Sequence, residues 1–229
     1  MKILSIIPAR GGSKGIPLKN LVLVNKKPLL YYTVHASLNS KINRTIVSTD
    51  NERIASYARK YGAEVINRPK KLSSDRVSIE PTIEHVLDLL YRKDGYEPDI
   101  LILLQNTSPL RTSSHINEAI DMFRKGKFDS VLSGFISHYL FWRKFKSFVV
   151  PINYEPSKRP NRQKMMNQFI ENGAIYITKY SLFKKTRCRI SGKIGFYKMP
   201  EELSIQIDNE YDLLFAEQVM EKIGKLEKN

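Results

Sequence analysis

Residues 3–24 constrain the fold of this chain more than any other stretch, because a short apolar run passes there straight into a glycine-rich loop carrying cations. Ile3-Leu4-Ser5-Ile6-Ile7 is β-branched and apolar enough for a buried parallel strand, and Pro8 ends it because proline has no N–H for the next ladder bond. The chain must then turn. Gly11, Gly12 and Gly15 permit positive φ and leave no side chains in the way, so successive backbone N–H groups can converge on one anion, while Arg10, Lys14 and Lys19 add formal charge. This arrangement predicts a phosphate site. Its spacing departs from the P-loop, G-x-x-x-x-G-K-S/T, and from the dinucleotide fingerprint G-x-G-x-x-G, and Pro17 interrupts any immediate helix. Kinase-type P-loop chemistry and NAD binding both lose ground.

At 229 residues, 41 % hydrophobic and 27 % charged, the chain is long enough for a single α/β domain over residues 1–229 with a sizeable core and an insertion. No run approaches the roughly eighteen apolar residues of a membrane span, and the first residues fall short of a signal peptide's apolar stretch, so no membrane partner and a cytoplasmic location are expected. Cys188 is the single cysteine, which excludes an internal disulfide and a cysteine-rich zinc site. The net charge of +15, from 38 basic and 23 acidic residues, raises nucleic-acid binding as a rival function. The cations are dispersed, with dense stretches at 143–146, 158–164, 184–189 and 222–228, and no nucleic-acid-binding motif accompanies them. The charge suits instead a cleft that concentrates anionic small molecules, and no nucleic-acid partner is expected.

Apolar periodicity sets out alternating strands and helices. A helix is expected over residues 29–38, a strand over 44–48, and a helix over 51–61 capped by Asp50 or Asn51 and closed by Gly62. A strand at 63–66 precedes a helix over 79–91, whose Ile83, Val86, Leu87 and Leu90 have amphipathic spacing. Residues 100–104 form another buried strand, Ser113 or Ser114 caps a helix to Lys125, and strands at 130–135 and 174–178 precede a terminal helix at 211–223. Such alternation predicts a mostly parallel, Rossmann-like sheet flanked by helices, with ligands bound beyond the carboxyl ends of the strands where strand order reverses. The loop after Pro8 falls there. Residues 136–170 break the pattern: Tyr139, Phe141, Trp142, Phe145, Phe148 and Tyr154 precede a polar run, an excursion whose aromatics either pack internally or cover a partner subunit.

The opening motif resembles that of the nucleotide-sugar pyrophosphorylases and, within them, the acylneuraminate cytidylyltransferases, in which a strand is followed by P-A-R-x-G-S-K-x-I/L/V-x-x-K-N. Pro8, Ala9, Arg10, Gly12, Ser13, Lys14, Gly15, Pro17, Lys19 and Asn20 carry the match. It extends through Ser48-Thr49-Asp50, Arg68-Pro69, Ser73-Ser74-Asp75, the segment 104–111, Arg162-Gln163 and the segments 171–177 and 205–210. Asn106 stands where the family usually has proline. Related enzymes acting on Kdo have G-D-E-P near the position of Gln105 to Thr107, and its absence points to a nine-carbon acidic sugar.

The resemblance implies a nucleotidyltransferase that moves CMP from CTP to the anomeric hydroxyl of an N-acylneuraminate or related nonulosonate, releasing pyrophosphate. It also implies a homodimer, with residues 136–170 as a small inserted dimerisation arm that completes the sugar pocket. Such a reaction needs positioning and charge neutralisation more than covalent help. Arg10, Gly12, Ser13, Lys14 and Lys19 suit the triphosphate, with Lys19 foremost at the leaving pyrophosphate and Asn20 orienting the ribose or phosphates. By resemblance, cytosine is read by Ala9, Arg10, Arg68 and the backbone near Ser78. The sugar carboxylate falls to Arg162, which matches the family arginine, while Gln105, Asn172 and Tyr176 complete the pocket and Arg111 is either a cation for the sugar or a brace for the turn after Pro109. CTP needs Mg²⁺ or Mn²⁺, and the family's D-x-D is here Gln206-x-Asp208. Alternation along a strand keeps both residues on one face, leaving Asp208 as principal metal ligand and, with Lys19 and Arg10, in the catalytic set; helix capping is its competing role. A nucleotidyltransferase for another sugar or alditol phosphate would share only the first loop.

Overall fold

Continuous burial from Ile3 to Ile7 seats the first strand, β1 (Ile3–Pro8), inside a seven-stranded sheet rather than at its edge. Ile3 and Ile7 face one apolar cluster and Leu4 and Ile6 the other, so both faces are covered, as a parallel strand requires. Ser5 is tolerated among them because its Oγ lies 2.7 Å from Ser37 Oγ, which in turn lies 2.8 Å from Thr45 Oγ1 in a buried hydroxyl chain.

A computed structural model of the chain describes residues 1–165 and 168–226. After β1 come a hairpin of β2 (Leu23–Val24) and β3 (Lys27–Pro28), then α1 (Leu29–Leu38), β4 (Arg44–Thr49), α2 (Glu52–Lys60), β5 (Glu64–Asn67), α3 (Glu80–Asp94) and β6 (Ile100–Leu103). The second half runs α4 (Ser113–Lys125), β7 (Ser130–Ile136), a hairpin of β8 (Trp142–Phe145) and β9 (Phe148–Pro151), β10 (Phe169–Lys179), α5 (Tyr180–Thr186), β11 (Ile194–Lys198) and α6 (Glu210–Leu226). The sheet order is β11-β7-β10-β6-β1-β4-β5, parallel throughout except that β10 runs antiparallel to both neighbours. Helices α1, α2 and α4 cover one face, and α3 with Phe183 of α5 covers the other. The chain steps from β1 to β4 on one side and returns to β6 on the other, so strand order reverses at β1 and opens a crevice beyond its carboxyl end.

The mostly parallel sheet flanked by helices matches the expectation, and several particulars differ. Asn51 caps α2, its Oδ1 accepting from Ile54 N at 3.2 Å. Thr112, not Ser113 or Ser114, caps α4: its Oγ1 accepts from His115 N at 3.3 Å while His115 Nδ1 accepts from Thr112 N at 3.2 Å, a reciprocal box. Neither α5 nor β11 was expected, and the return strand starts at Phe169 rather than Ala174. The excursion contains the β8–β9 hairpin, whose Trp142, Phe145 and Phe148 are all about half exposed. Residues 166 and 167 of the excursion, and 227 and 228 of the last basic stretch, lie outside the described residues. No helix among the described residues is long and apolar enough to cross a membrane.

One irregularity shapes the site. Pairing between β10 and β7 jumps from Glu171↔Gly134 to Tyr176↔Leu132, so β10 carries extra residues there. The bulge puts Gly173 at φ 67, where only glycine is at ease. Opposite it, a Cβ on Gly134 would strike the Ile170 carbonyl oxygen and the Phe196 ring. Gly134→Ala is therefore expected to cost about 1–3 kcal/mol of stability, read from the urea midpoint, whereas an unchanged midpoint would mean the strands have slack at the bulge.

Candidate functional site

A cleft of about 360 Å³ opens beyond the carboxyl end of β1. The loop after Pro8 forms one wall through Arg10, Gly12, Ser13, Lys19 and Asn20; Arg68, Asp75 and Ser78 form a second; Gln105, Gln206 and Asp208 form a third. The strong phosphate signature of the loop thus lies where sheet topology puts ligands.

The loop's glycines act through close approach rather than unusual φ. None of Gly11, Gly12 and Gly15 has positive φ; Leu18, at φ 49, takes the left-handed position instead. A Cβ on Gly11 would come within 2.9 Å of the Asn51 side chain, one on Gly15 would strike the Asp208 carbonyl oxygen, and one on Gly12 would meet open space. The Gly11 amide donates to Asp50 Oδ1 at 2.9 Å, so it does not face the cleft as expected. Among the described residues the amides of Gly12 and Ser13, which line the cleft, have no protein acceptor.

The cations sit in different settings. Lys19 Nζ donates to Ile207 O at 2.7 Å and Asp208 Oδ1 at 2.9 Å, with its side chain only 15 % exposed. Arg10 and Lys14 both pair with Asp75. Arg68 is buried, donating from Nη2 to Ser48 O at 2.6 Å, and burial pushes its guanidinium down to about 10, still charged at neutral pH. Arg111 is not in the cleft. It is fully enclosed, with Nη1 donating to Gln105 O and Ala174 O at 3.1 Å each, and burial takes it down to about 9. It braces the turn that presents Gln105.

Asn20 lines the cleft with its amide already committed: Nδ2 donates to Arg10 O at 2.9 Å, and Oδ1 accepts from Asn106 Nδ2 at 3.0 Å. Asn106, at the position where proline was the expectation, also reaches Pro8 O at 3.4 Å and so ties three segments together. Gln105 and Gln206 converge over Gly173, whose missing Cβ leaves room for both amides.

Residues 204–207 are not a ladder strand, yet the expected alternation survives, because Ile207 is buried and its N–H donates to Thr107 O at 2.8 Å while Gln206 and Asp208 face the cleft. Capping of α6 belongs to Asn209, whose Oδ1 accepts from Tyr211 N at 2.9 Å and Asp212 N at 3.2 Å. Asp212 reciprocates, its Oδ2 accepting from the N–H groups of Asp208 at 2.8 Å and Asn209 at 2.9 Å. The Asp208 carboxylate, 70 % exposed, is left to the cleft. No three His, Cys, Asp or Glu side chains gather into a metal cage among the described residues. One carboxylate beside a neutral amide nevertheless fits Mg²⁺, which takes one or two carboxylates and completes its shell with phosphate oxygens and water.

Five expected pocket residues are not brought to the cleft wall, Lys14 among them, its side chain 84 % exposed and held on Asp75. Ala9 is fully buried, its N–H donating to Ser48 O at 2.9 Å. Asn172 is interior because the bulge leaves polar groups to satisfy: its Oδ1 accepts from Ser133 Oγ at 2.7 Å and Ala174 N at 3.1 Å, and its Nδ2 donates to Ser204 Oγ at 2.9 Å. Tyr176 pairs with Leu103 and Leu132 in mid-sheet and points under α3, its hydroxyl on Glu171 and its ring under Arg189. Arg162 lies exposed on a short 3₁₀ turn, Arg162–Met165. The residue that sequence reasoning left without a role is Asp75, whose signal was a lone carboxylate between Lys70-Lys71 and Arg76.

Residues 4–229 match the family model described as cytidylyltransferase. The chain is 34 % identical over 232 residues to N-acylneuraminate cytidylyltransferase A of Danio rerio, covering 99 % of this chain and 53 % of that protein. It is 35 % identical over 227 residues to N-acylneuraminate cytidylyltransferase of Oncorhynchus mykiss, covering 97 % of this chain and 51 % of that one. The chain thus spans about half the length of the curated relatives it matches. Among solved structures, CMP:2-keto-3-deoxy-manno-octonic acid synthetase complexed with CTP superimposes with a TM-score of 0.70 at 16 % identity, over 97 % of this chain and all of that one, a likeness of fold. The interior placement of Asn172 has its own test: Asn172→Ala should lower stability by about 2–3 kcal/mol in thermal or urea unfolding, by orphaning Ser133 and Ser204. A variant with wild-type stability would show that the amide does not hold the bulge.

Proposed function

This chain belongs to the cytidylyltransferase family, and we propose that it joins the CMP part of CTP to the anomeric hydroxyl of a nine-carbon acidic sugar, an N-acylneuraminate or related nonulosonate. The observation that carries the reading is the convergence in one cleft of Arg10 and Lys19 from the first loop, Arg68 from the second wall and Asp208 from the third. The relatives' names support the sugar class, as does the lack of G-D-E-P near Gln105 to Thr107.

In this reading the sugar's hydroxyl oxygen attacks the α-phosphorus of CTP and gives up its proton to solvent, the bond from that phosphorus to the bridging oxygen of the β-phosphate breaks, and pyrophosphate departs with the bonding pair. Lys19, only 15 % exposed and held beside Asp208, neutralises the leaving group in a setting where water screens little. The cleft-facing amides of Gly12 and Ser13, with Ser13 Oγ and Lys14, take the remaining phosphate oxygens. Arg68 and Ser78, both on the second wall of the cleft, suit the donor and acceptor edge of cytosine. A divalent cation, Mg²⁺ or Mn²⁺, would be held by Asp208 with help from Gln206, and when bound it supplies charge neutralisation between phosphate oxygens. Gln105, presented by the Arg111 brace, faces the sugar, and Arg162 serves the sugar carboxylate from the excursion, in a homodimer whose β8–β9 hairpins cover a partner. The reaction is assigned to the cytoplasm.

Pyrophosphate release with each of four NTPs, Mg²⁺ and a panel of nonulosonic acids tests this: CTP alone should give turnover, and turnover with a sugar phosphate instead would sink the acid-sugar reading. Asp208→Ala should abolish nearly all CMP-sugar formation with an unchanged melting midpoint, and undiminished turnover would remove Asp208 from the metal site. Replacing Phe145 and Phe148 together by Glu should convert a dimer to a monomer by light scattering. A monomeric unaltered protein would dispose of the arm.

A further inference from the structure

We propose that Asp75 is an internal stand-in for nucleotide phosphate, holding Arg10 and Lys14 while the cleft is empty and releasing them to an entering triphosphate. The inference rests on the reading of this cleft as a CTP site and deepens it. Asp75 lines the cleft on the wall opposite the phosphate loop. Its Oδ1 is ion-paired with Arg10 Nη1, and its Oδ2 lies 3.0 Å from Lys14 Nζ, so a single carboxylate bridges two cations. Arg10 is tied to the same segment a second time, Nη1 donating to Ser73 O at 3.3 Å. The hydrogen bonds from Lys14 and then Arg10 hold the Asp75 carboxyl below the ordinary aspartate range, so it meets them as a carboxylate at neutral pH.

Carboxylate and phosphate oxygens present the same kind of acceptor to a guanidinium fork and to an ammonium, so the two anions compete for the same donors. A second ion pair in the cleft looks similar, Lys19 on Asp208, but the two carboxylates differ in what they do once phosphate arrives. Asp208 shares its wall with Gln206 and would hold a cation that neutralises phosphate charge. Asp75 stands among cations, and left in place it would repel the ligand. Its side chain is 36 % exposed, and Lys14's is 84 % exposed, so both have solvent to turn into. The bridge lets Arg10 and Lys14 wait close together without mutual repulsion. It also grades ligands: an anion reaching one cation must break the bridge for half the return, whereas a polyphosphate reaches both.

Titration calorimetry with inorganic tripolyphosphate, free of divalent metal, provides the test on the full chain. Asp75→Asn should bind it roughly three- to tenfold more tightly than the unaltered protein, the scale of one or two released surface ion pairs. The gain should vanish when Arg10→Gln and Lys14→Gln are also present. Equal binding would mean that the bridge does not compete, and weaker binding would mean that Asp75 organises the cations; either result overturns the proposal. Asp75→Ala, with its melting midpoint checked, should behave like Asp75→Asn. Tripolyphosphate carries neither base nor sugar, so tightening in a protein that never turns over CTP would leave the stand-in intact and sink the CTP reading. Turnover without tightening would do the opposite.

Discussion

The ammonium of Lys19 joins two segments 188 residues apart, and the geometry of the cleft depends on that junction. Its bonds to Ile207 O and Asp208 Oδ1 draw the segment before α6 onto the loop after β1, and the absence of a side chain at Gly15 lets the Asp208 backbone come close enough. The loop could not be held by its own backbone: Leu18 in the left-handed region and a short 3₁₀ turn at Lys19–Leu21 leave few internal bonds. Lateral support comes from Asp50 on the Gly11 amide and Asn106 on Asn20. The loop is therefore positioned by the carboxyl ends of β4 and β6 and by the segment just before α6, which is why residues so distant in sequence face one cleft.

Much of this arrangement was legible in the residues. The buried β1 run, the Gly62 stop at φ 91, the amphipathic spacing of α3 and the cation-bearing loop are local signals, and each lies where the sequence implied. The direction of β10 was not legible, because a strand buried on both faces shows the same apolar run whether its neighbours are parallel or antiparallel. Asn172 and Tyr176 misled for a related reason. Their motif matches a family pattern, but the bulge between Glu171 and Tyr176 decides which groups turn inward, and a bulge leaves no periodic mark. Asp75 had a place in the Ser73-Ser74-Asp75 motif but no legible role, because its meaning lies in Arg10 and Lys14, which reach it only across the fold.

The positive charge of the chain is handled in two ways that composition alone cannot separate. Lys41, Lys179, Lys184 and Arg187 pair with carboxylates at the surface, where such pairs contribute little to stability. Arg68 and Arg111 are instead enclosed with carbonyl partners, and burial lowers both while leaving them cationic at neutral pH. Arg111 keeps Nη2 and Nε without a partner, a cost accepted to hold the Gln105 and Ala174 carbonyls at fixed separation. The cleft thus owes its rigidity as well as its potential to arginine.

The handover of helix capping from Asp208 to Asn209 and Asp212 bears on how such a site changes over generations. Where one side chain both starts a helix and faces a ligand, any substitution tests folding and chemistry together. Here the helix is started by its own reciprocal pair, so a change at the neighbouring position is felt at the Lys19 junction and in the chemistry rather than at the start of α6. Gln206 stands two residues away on the same wall and likewise takes no part in capping α6. Heritable variation in ligand preference can therefore accumulate on this edge of the cleft while selection for a folded protein acts elsewhere.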